Sequence, residues 1–185
     1  MIQRPRRLRA NQAIRNLVSE SQVRPEQLIL PLFVREGLTE PKPIKGLPGT
    51  VQHTSDSLRA EIDRAIAAGI GGVMVFGVPN HRDEDGTEAC NPNGVLTSAI
   101  RAIRQQAGDR LVVIADLCLD EFTSHGHCGV LDAHGQVDND RTLEIYGRMA
   151  TVLAEAGAHM LGASGMMDGQ VAATRAALDN ANFKD

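Results

Sequence analysis

The sequence predicts an α/β fold built around a parallel sheet, and three observations support that prediction. Apolar runs of strand length alternate strictly with longer amphipathic segments, which is the pattern of repeated β–α units. The apolar runs are nearly continuous, as expected for parallel strands buried on both faces. The runs begin near residues 28, 72, 111 and 159, a longer spacing than a minimal doubly wound sheet needs.

The predicted strands and helices follow one another along the chain. The strands are the apolar runs at residues 28–34, 72–78, 111–119 and 159–163. The first helix begins at Ser55 or Asp56, either of which can cap it, and ends near Gly69. The second has an apolar face at residues 96–103 and ends at Gly108, and the third has one at residues 143–153 and ends at Gly157. The fourth spans residues 168–181, with Asp168 as the candidate cap.

The spacing of the units indicates part of a larger architecture. Eight units at this spacing need roughly 350 residues, and the chain has 185. We therefore expect about the first four β/α units of a (β/α)8 TIM barrel at residues 25–185, preceded by an arm at residues 1–24. A four-stranded open α/β sheet is the alternative. In a half barrel the first and fourth strands are open edges with apolar faces, so the isolated chain is expected to aggregate or dimerise.

Composition excludes several classes of protein. With 42% hydrophobic and 23% charged residues, the chain is typical of globular domains. No apolar run approaches the ~20 residues of a membrane helix, and no apolar segment follows the N-terminal arginines as in a secretory signal. Three cysteines are too few for a disulfide framework, which favours a reducing, cytoplasmic compartment.

The first 15 residues carry five arginines and no acid. Such an arm can bind phosphates or dock on an acidic face of a partner subunit. Aromatic residues make up only 3% of the chain and Trp is absent, which disfavours nucleic acid as the partner. We therefore expect the arm to serve self-association, with a plain solvated terminus as the alternative.

The chemistry-bearing residues cluster at 116–129, from the end of the third strand into the next loop. Strand alternation places Asp116, Cys118 and Asp120 on one side, and Cys128 returns from the loop. Two thiolates and a carboxylate can bind a divalent cation such as Zn²⁺ and leave one position open. The sequence therefore favours a metal site over the alternative of a buried strand cysteine and an unrelated loop cysteine.

His125 and His127 lie in the same loop and are candidates for further ligands or for donors to the ligands. Their alternative role is that of ordinary surface groups. Cys90 has no ligand partner near it in sequence and is expected to be an inert loop thiol. Ser164 has no base beside it in sequence, which argues against a serine-nucleophile hydrolase.

Several motifs together resemble one family, that of porphobilinogen synthase, also called δ-aminolevulinic acid dehydratase. They are RPRRLR at 4–9, LPLFVREG at 30–37, GLPG at 46–49, VFGVP at 75–79, TSHGHCG at 123–129 and NDRTLE at 139–144. The resemblance covers nearly the whole chain. It implies a (β/α)8 barrel whose N-terminal arm wraps a neighbouring subunit, usually in a homo-octamer.

The resemblance also implies an activity and a set of site residues. The family condenses two molecules of 5-aminolevulinate into porphobilinogen with loss of water, in tetrapyrrole (haem) biosynthesis. The positions that match the family's metal ligands are Cys118, Asp120 and Cys128, a mixed set that leaves Zn²⁺ and Mg²⁺ both open. Asp116 and Ser164 match the family's active-site aspartate and a serine of the same pocket, and are the candidate catalytic residues.

The chain departs from the family pattern after the fourth strand. Gly165 stands where the family usually has an acid, Gln170 where it has a base, and His159 where it has an aspartate. The family also uses two lysines on later strands, which form Schiff bases with the substrates. The lysines of this chain, Lys42, Lys45 and Lys184, are expected to be solvated and unsuited to that role.

These departures predict that the 185-residue chain is inactive alone. A second hypothesis is a truncated paralogue that serves as a metal-binding or subunit-interaction module. A third, weaker one is a small α/β hydrolase that uses Asp116 and metal-bound water.

Overall fold

A computed structural model describes residues 3–184 of the chain. Its strands are β1 (Ile29–Arg35), β2 (Lys42–Pro43), β3 (Val51–His53), β4 (Gly72–Val78), β5 (Val112–Leu117) and β6 (Met160–Ala163). Its α-helices are α1 (Gln12–Leu17), α2 (Ser55–Ala67), α3 (Val95–Ala107), α4 (Asn139–Glu155) and α5 (Gln170–Asn180). Within the described residues, no helix combines the length and apolarity that crossing a membrane requires.

The six strands form one sheet in the order β2-β3-β1-β4-β5-β6. Strands β1, β4, β5 and β6 pair in parallel, as do β1 and β3, whereas β2 and β3 are antiparallel. A predominantly parallel sheet with intervening helices confirms the predicted α/β class. The carboxyl ends of the parallel strands lie together at one end of the sheet, which is where ligands bind in such folds.

The core lies between the sheet and the helices. Alternate residues of the strands, such as Leu32, Val75 and Val113, pack in one buried cluster with Ile62 of α2 and Ile100 of α3. The opposite face of the sheet is more open, because Ile29, Val112 and Met160 are exposed there.

The short strands β2 and β3 correct the sequence prediction. They pair with one another and β3 also pairs with β1, so the first predicted strand is not an open edge and the sheet has more than four strands. A segment of two or three residues is too short to show periodicity in sequence. Within residues 3–184, β2 and β6 form the two edges of the sheet.

Two predicted helix caps are also wrong. The cap of α2 is Thr54, whose hydroxyl accepts a hydrogen bond from the Ser57 N–H at 3.1 Å, and neither Ser55 nor Asp56 has that role. The cap position of α5 is Gly169, which has no capping side chain. Asp168 lies one residue earlier, and its N–H donates to Asn139 Oδ1 at 2.9 Å.

The N-terminal residues lie on the surface. A short 3₁₀ helix at Pro5–Arg9 and helix α1 are exposed almost throughout. Their contacts are local, such as the bond from Arg15 Nη1 to the Arg9 carbonyl oxygen at 3.1 Å.

Candidate functional site

The candidate site lies where β5 and β6 end. Asp116 of β5 pairs in register with Gly162 of β6, and Ser164, two residues after Gly162, is close enough for its side chain to bond to Asp116. The chain then leaves β5 into a loop that runs through Cys118 and Asp120, returns at Cys128 and enters α4. The end of β5, the loop that follows it and the more distant turn after β6 therefore meet at one end of the sheet.

Cys118, Asp120 and Cys128 form a compact group. The sulfur and carboxylate ligand atoms of the three residues all lie within 4.8 Å of one another. Cys118 is buried, and the other two are half-buried. The donor set and its spacing fit a single divalent cation, since two sulfur ligands suit Zn²⁺ and a carboxylate suits Zn²⁺ or Mg²⁺.

Burial raises the pKa of the Cys118 thiol above its ordinary value, and neighbouring Asp120 and Cys128 add to the rise. A neutral thiol is therefore favoured as long as no positive charge is close. A cation held by the group would reverse that preference, because a coordinating thiol loses its proton.

Asp116 is a buried carboxylic acid with one hydroxyl partner. It is 4% exposed, and the Ser164 hydroxyl donates to its Oδ1 at 2.9 Å. Burial raises the pKa of Asp116 to about 6, with the Ser164 bond opposing the rise and Asp120 adding to it. A group with this pKa can accept and release a proton near neutral pH.

Glu121 joins the same cluster, although sequence reasoning assigned it no role. Oxygens of Asp116, Asp120 and Glu121 lie within 4.8 Å of one another. Burial and, after it, the charges of Asp120 and Asp116 raise the pKa of Glu121 to about 8. Strand alternation extended to residue 121 points Glu121 away from Asp120, but β5 ends at Leu117, so the alternation does not hold there.

The two loop histidines lie at the surface and bond to backbone groups. His125 Nε2 pairs with the Glu84 carbonyl oxygen at 3.2 Å, and His127 Nδ1 accepts from the Gly129 N–H at 3.0 Å. Among the described residues, neither histidine joins a group with metal-ligand spacing. Their contacts shape the loop.

A neighbouring loop braces the cysteine loop from outside. The Ser124 N–H donates to the Asp83 carbonyl oxygen at 2.8 Å, and Arg141 of α4 forms an ion pair with Asp85 at 2.7 Å. The loop after β4 thus contacts both the cysteine loop and α4, the helix that follows it.

Two further buried side chains, Tyr146 and Gln170, hold the site together. The Tyr146 hydroxyl donates to the Cys128 carbonyl oxygen at 2.6 Å, and Gln170 Nε2 donates to the Leu117 carbonyl oxygen at 3.2 Å. Sequence reasoning identified Tyr146 only as part of an apolar helix face and Gln170 only as a departure from a motif. The sequence did carry a signal for Tyr146, because a tyrosine on an apolar helix face needs a hydrogen-bond partner for its hydroxyl.

The remaining residues singled out from the sequence lie elsewhere. All three lysines are exposed, and Lys42 lies in β2. His159 lies just before β6, where its Nδ1 accepts from the Val113 N–H at 2.9 Å. Cys90 is half-buried beside α4, its sulfur 3.7 Å from the Ile145 carbonyl oxygen. Burial raises the pKa of this thiol, in keeping with an inert role.

Fold and site together define an α/β protein whose parallel strands carry, at their carboxyl ends, a group of candidate metal ligands beside a buried acid. The family model described as delta-aminolevulinic acid dehydratase matches residues 2–185, and the chain belongs to that family.

Individual relatives agree with the family match. A delta-aminolevulinic acid dehydratase from Streptomyces coelicolor is 53% identical over 184 residues, which cover 98% of this chain and 56% of the relative. One from Escherichia coli is 45% identical over 185 residues, covering 100% of this chain and 56% of the relative. The chain thus spans little more than half the length of these two relatives. It covers 89% of the 45% identical relative from Ruminiclostridium josui.

A solved structure shares the fold. It is the delta-aminolevulinic acid dehydratase (porphobilinogen synthase) of Toxoplasma gondii in complex with the reaction product porphobilinogen. It matches with a TM-score of 0.94 at 38% sequence identity, over 100% of this chain and 53% of that chain.

Proposed function

We propose that this chain supplies the metal loop and the first acid–base groups of a porphobilinogen synthase, as about the first four β/α units of a (β/α)8 barrel. The observation that carries the proposal is the grouping of Cys118, Asp120 and Cys128 beside Asp116 and Ser164, in a chain of this family. The complete enzyme would condense two 5-aminolevulinate molecules into porphobilinogen with loss of water.

In this proposal Cys118, Asp120 and Cys128 hold a divalent metal ion, Zn²⁺ or Mg²⁺. A bound ion would supply Lewis acidity toward an oxygen of the substrate. The two thiols favour Zn²⁺, because sulfur is a soft ligand that Mg²⁺ does not select.

The side chains of the site divide the proton-handling work. Asp116, with a pKa of about 6, takes up and returns protons, and Ser164 fixes the orientation of its Oδ1. Burial raises the pKa of Glu121 to about 8 in the metal-free chain, which favours a protonated carboxyl group that can donate a hydrogen bond. One deprotonated and one protonated carboxyl group in a single cluster is an arrangement suited to loss of water.

The family's two Schiff-base lysines would come from the part of the enzyme that the relatives have and this chain does not span. Lys42, Lys45 and Lys184 are exposed, whereas a lysine that forms a Schiff base acts from a desolvated or cation-flanked site. The 185-residue chain is therefore expected to form no porphobilinogen alone. The homo-octamer, the subunit-wrapping arm at residues 1–24 and the cytoplasmic location belong to the same proposal for the complete enzyme.

A chimera tests the proposed activity. Residues 1–185 are fused to the C-terminal remainder of the Streptomyces coelicolor relative, which is 53% identical over the shared part. Porphobilinogen formation from 5-aminolevulinate is then measured for the chimera and for the chain alone. The chimera is expected to be active and the chain alone inactive.

Substitutions within the chimera test the assigned residues. Cys128→Ala is expected to lower turnover at least ~10-fold, because a metal ligand is lost. Cys90→Ala, outside the loop, is the matched control and should retain the turnover of the unsubstituted chimera. Turnover by the unfused chain, or full activity of the Cys128→Ala chimera, would contradict the proposal.

Gln170, which stands where the family has a base, and Gly165, where it has an acid, also favour a second candidate, a metal-binding or subunit-interaction module without catalysis. It predicts metal binding by the chain and an inactive chimera. The chimera assay therefore separates the two functions.

A further inference from the structure

Tyr146 occupies a singular place in the site. It is the one tyrosine of the chain and is 0% exposed. Its hydroxyl donates to the Cys128 carbonyl oxygen at 2.6 Å and lies 3.9 Å from Cys118 Sγ. A single hydroxyl therefore contacts both sulfur-bearing residues of the candidate metal group.

The other side of the same hydroxyl faces the turn after β6. A Cβ atom placed on Gly165 would lie 1.9 Å from the Tyr146 hydroxyl oxygen and 2.5 Å from its Cζ. Residue 165 directly follows Ser164, whose hydroxyl donates to Asp116. The tyrosine ring thus fills the space between the cysteine loop and the Ser164 turn, and only glycine at position 165 leaves room for it.

A second side chain of α4 holds the same stretch of loop. Thr142 lies one helical turn before Tyr146, and its hydroxyl accepts from the Val130 N–H at 3.1 Å. Tyr146 and Thr142 therefore hold residues 128–130 of the loop through the Cys128 carbonyl oxygen and the Val130 N–H. Residues four apart share one helix face, so α4 serves as the support against which Cys128 is placed.

Burial alone does not explain this arrangement. A buried tyrosine hydroxyl needs some hydrogen-bond partner, and a bond to any nearby carbonyl would satisfy it. Here the partner belongs to a candidate ligand residue, and the room for the ring depends on Gly165, the residue next to Ser164.

We propose that Tyr146 is a positioning residue that fixes Cys128 relative to Cys118, and that Gly165 is the residue that permits it. The proposal rests on the proposed metal site. Holding a ligand residue in place before the ion arrives removes part of the ordering cost of binding. The glycine that appeared from the sequence to be a lost acid is here a steric requirement of the tyrosine.

Cobalt titration of the 185-residue chain tests the proposal, with thiolate-to-cobalt charge-transfer absorption as the readout. Tyr146→Phe removes the hydroxyl and keeps the ring, and it is expected to weaken Co²⁺ binding about 10-fold. The matched control is Thr97→Val on α3, where a buried hydroxyl also donates to loop carbonyls, those of Asn91 and Gly94. Thermal unfolding is recorded for both variants, and the control is expected to lose stability while retaining wild-type affinity.

The outcomes separate this inference from the proposed metal site. If Cys118→Ala and Cys128→Ala both bind Co²⁺ as the wild type does, the metal site itself is wrong. If those variants lose binding while Tyr146→Phe stays within twofold of the wild type, the positioning role is wrong.

A double-mutant cycle gives an independent test should Tyr146→Phe fold poorly. Gly165→Ala is expected to lower Co²⁺ affinity in the wild-type background, because the new methyl group displaces the Tyr146 ring. In a Tyr146→Leu background the loss should be smaller, since leucine lacks the hydroxyl and Cζ that the methyl group meets. Equal losses in the two backgrounds would overturn the assignment of Gly165.

Discussion

At the scale of single residues, the site shows how environment separates chemically similar groups. Asp116 is a buried acid and Glu121 a half-buried one, and loss of contact with solvent is the largest cause of the raised pKa of each. Asp116 has the Ser164 hydroxyl to stabilise its charge, whereas Glu121 faces the negative charges of Asp120 and Asp116. The pKa values therefore differ, at about 6 and about 8.

The raised pKa of Glu121 predicts that the stability of the metal-free chain depends on pH. The folded-state pKa of Glu121, about 8, lies above its ordinary value of 4.5. The folded state therefore binds the proton more tightly, and the free energy of unfolding falls as pH rises from about 4.5 to 8. Glu121→Gln removes this titration and should gain at least about 1.4 kcal/mol relative to wild type between pH 5 and pH 8, the equivalent of one pKa unit.

Urea unfolding at the two pH values, with a chelator present, measures this effect. Glu155→Gln, an exposed position on α4, is the matched control and should follow the wild type. If the difference in free energy of unfolding between variant and wild type is the same at pH 5 and pH 8, the pKa of Glu121 is not raised in the folded state.

At the scale of elements, most helices and strands follow directly from apolar patterning. Strand β4 has the bounds predicted for it, because the seven residues from Gly72 to Val78 form a continuous apolar run, most of it buried. Helix α2 buries Leu58, Ile62 and Ala65 at the spacing of one helix face. Its start was predicted one or two residues late, since Thr54, Ser55 and Asp56 are all capable caps and only the backbone decides which of them acts.

The position of the α2 cap can be checked by substitution. Thr54→Ala removes the hydroxyl that accepts from the Ser57 N–H and is expected to lower the free energy of unfolding by about 1 kcal/mol. Ser55→Ala, one residue later, should change it by less than about 0.5 kcal/mol. Chemical denaturation of both variants measures these free energies of unfolding. A larger decrease for Ser55→Ala than for Thr54→Ala would refute the assigned cap.

At the scale of the whole molecule, one face and one edge of the sheet lack cover within the described residues. Ile29, Val112 and Met160 are 55%, 36% and 58% exposed, and Met160 lies in the edge strand β6. Exposed apolar surface next to an unpaired strand promotes self-association.

The isolated 185-residue chain is therefore expected to associate as its concentration rises. Met160→Lys places a charge on the edge strand and should reduce this association. Met166→Lys, at an 88% exposed residue after β6, is the control and should leave it unchanged. Light scattering across a concentration series measures both, and a wild-type chain that stays monomeric throughout would disprove the expectation.

The sequence by itself predicted the α/β class, the main strands and helices, and a metal site of two cysteines and a carboxylate, which the family resemblance narrowed to Cys118, Asp120 and Cys128. These features are local: apolar periodicity acts over one element, and the three ligand candidates fall within one strand end and loop. The family resemblance, through motifs spread along the chain, pointed to Asp116 and Ser164.

Tertiary structure alone decided the features that join distant segments. The parallel register of β5 and β6 brings Ser164 within 2.9 Å of Asp116, and the packing of α4 places the Tyr146 hydroxyl between Cys128 and Gly165. It also decided the β2–β3 extension of the sheet and the raised pKa of Glu121. These features depend on through-space distance and burial, which the order of residues along the chain does not specify.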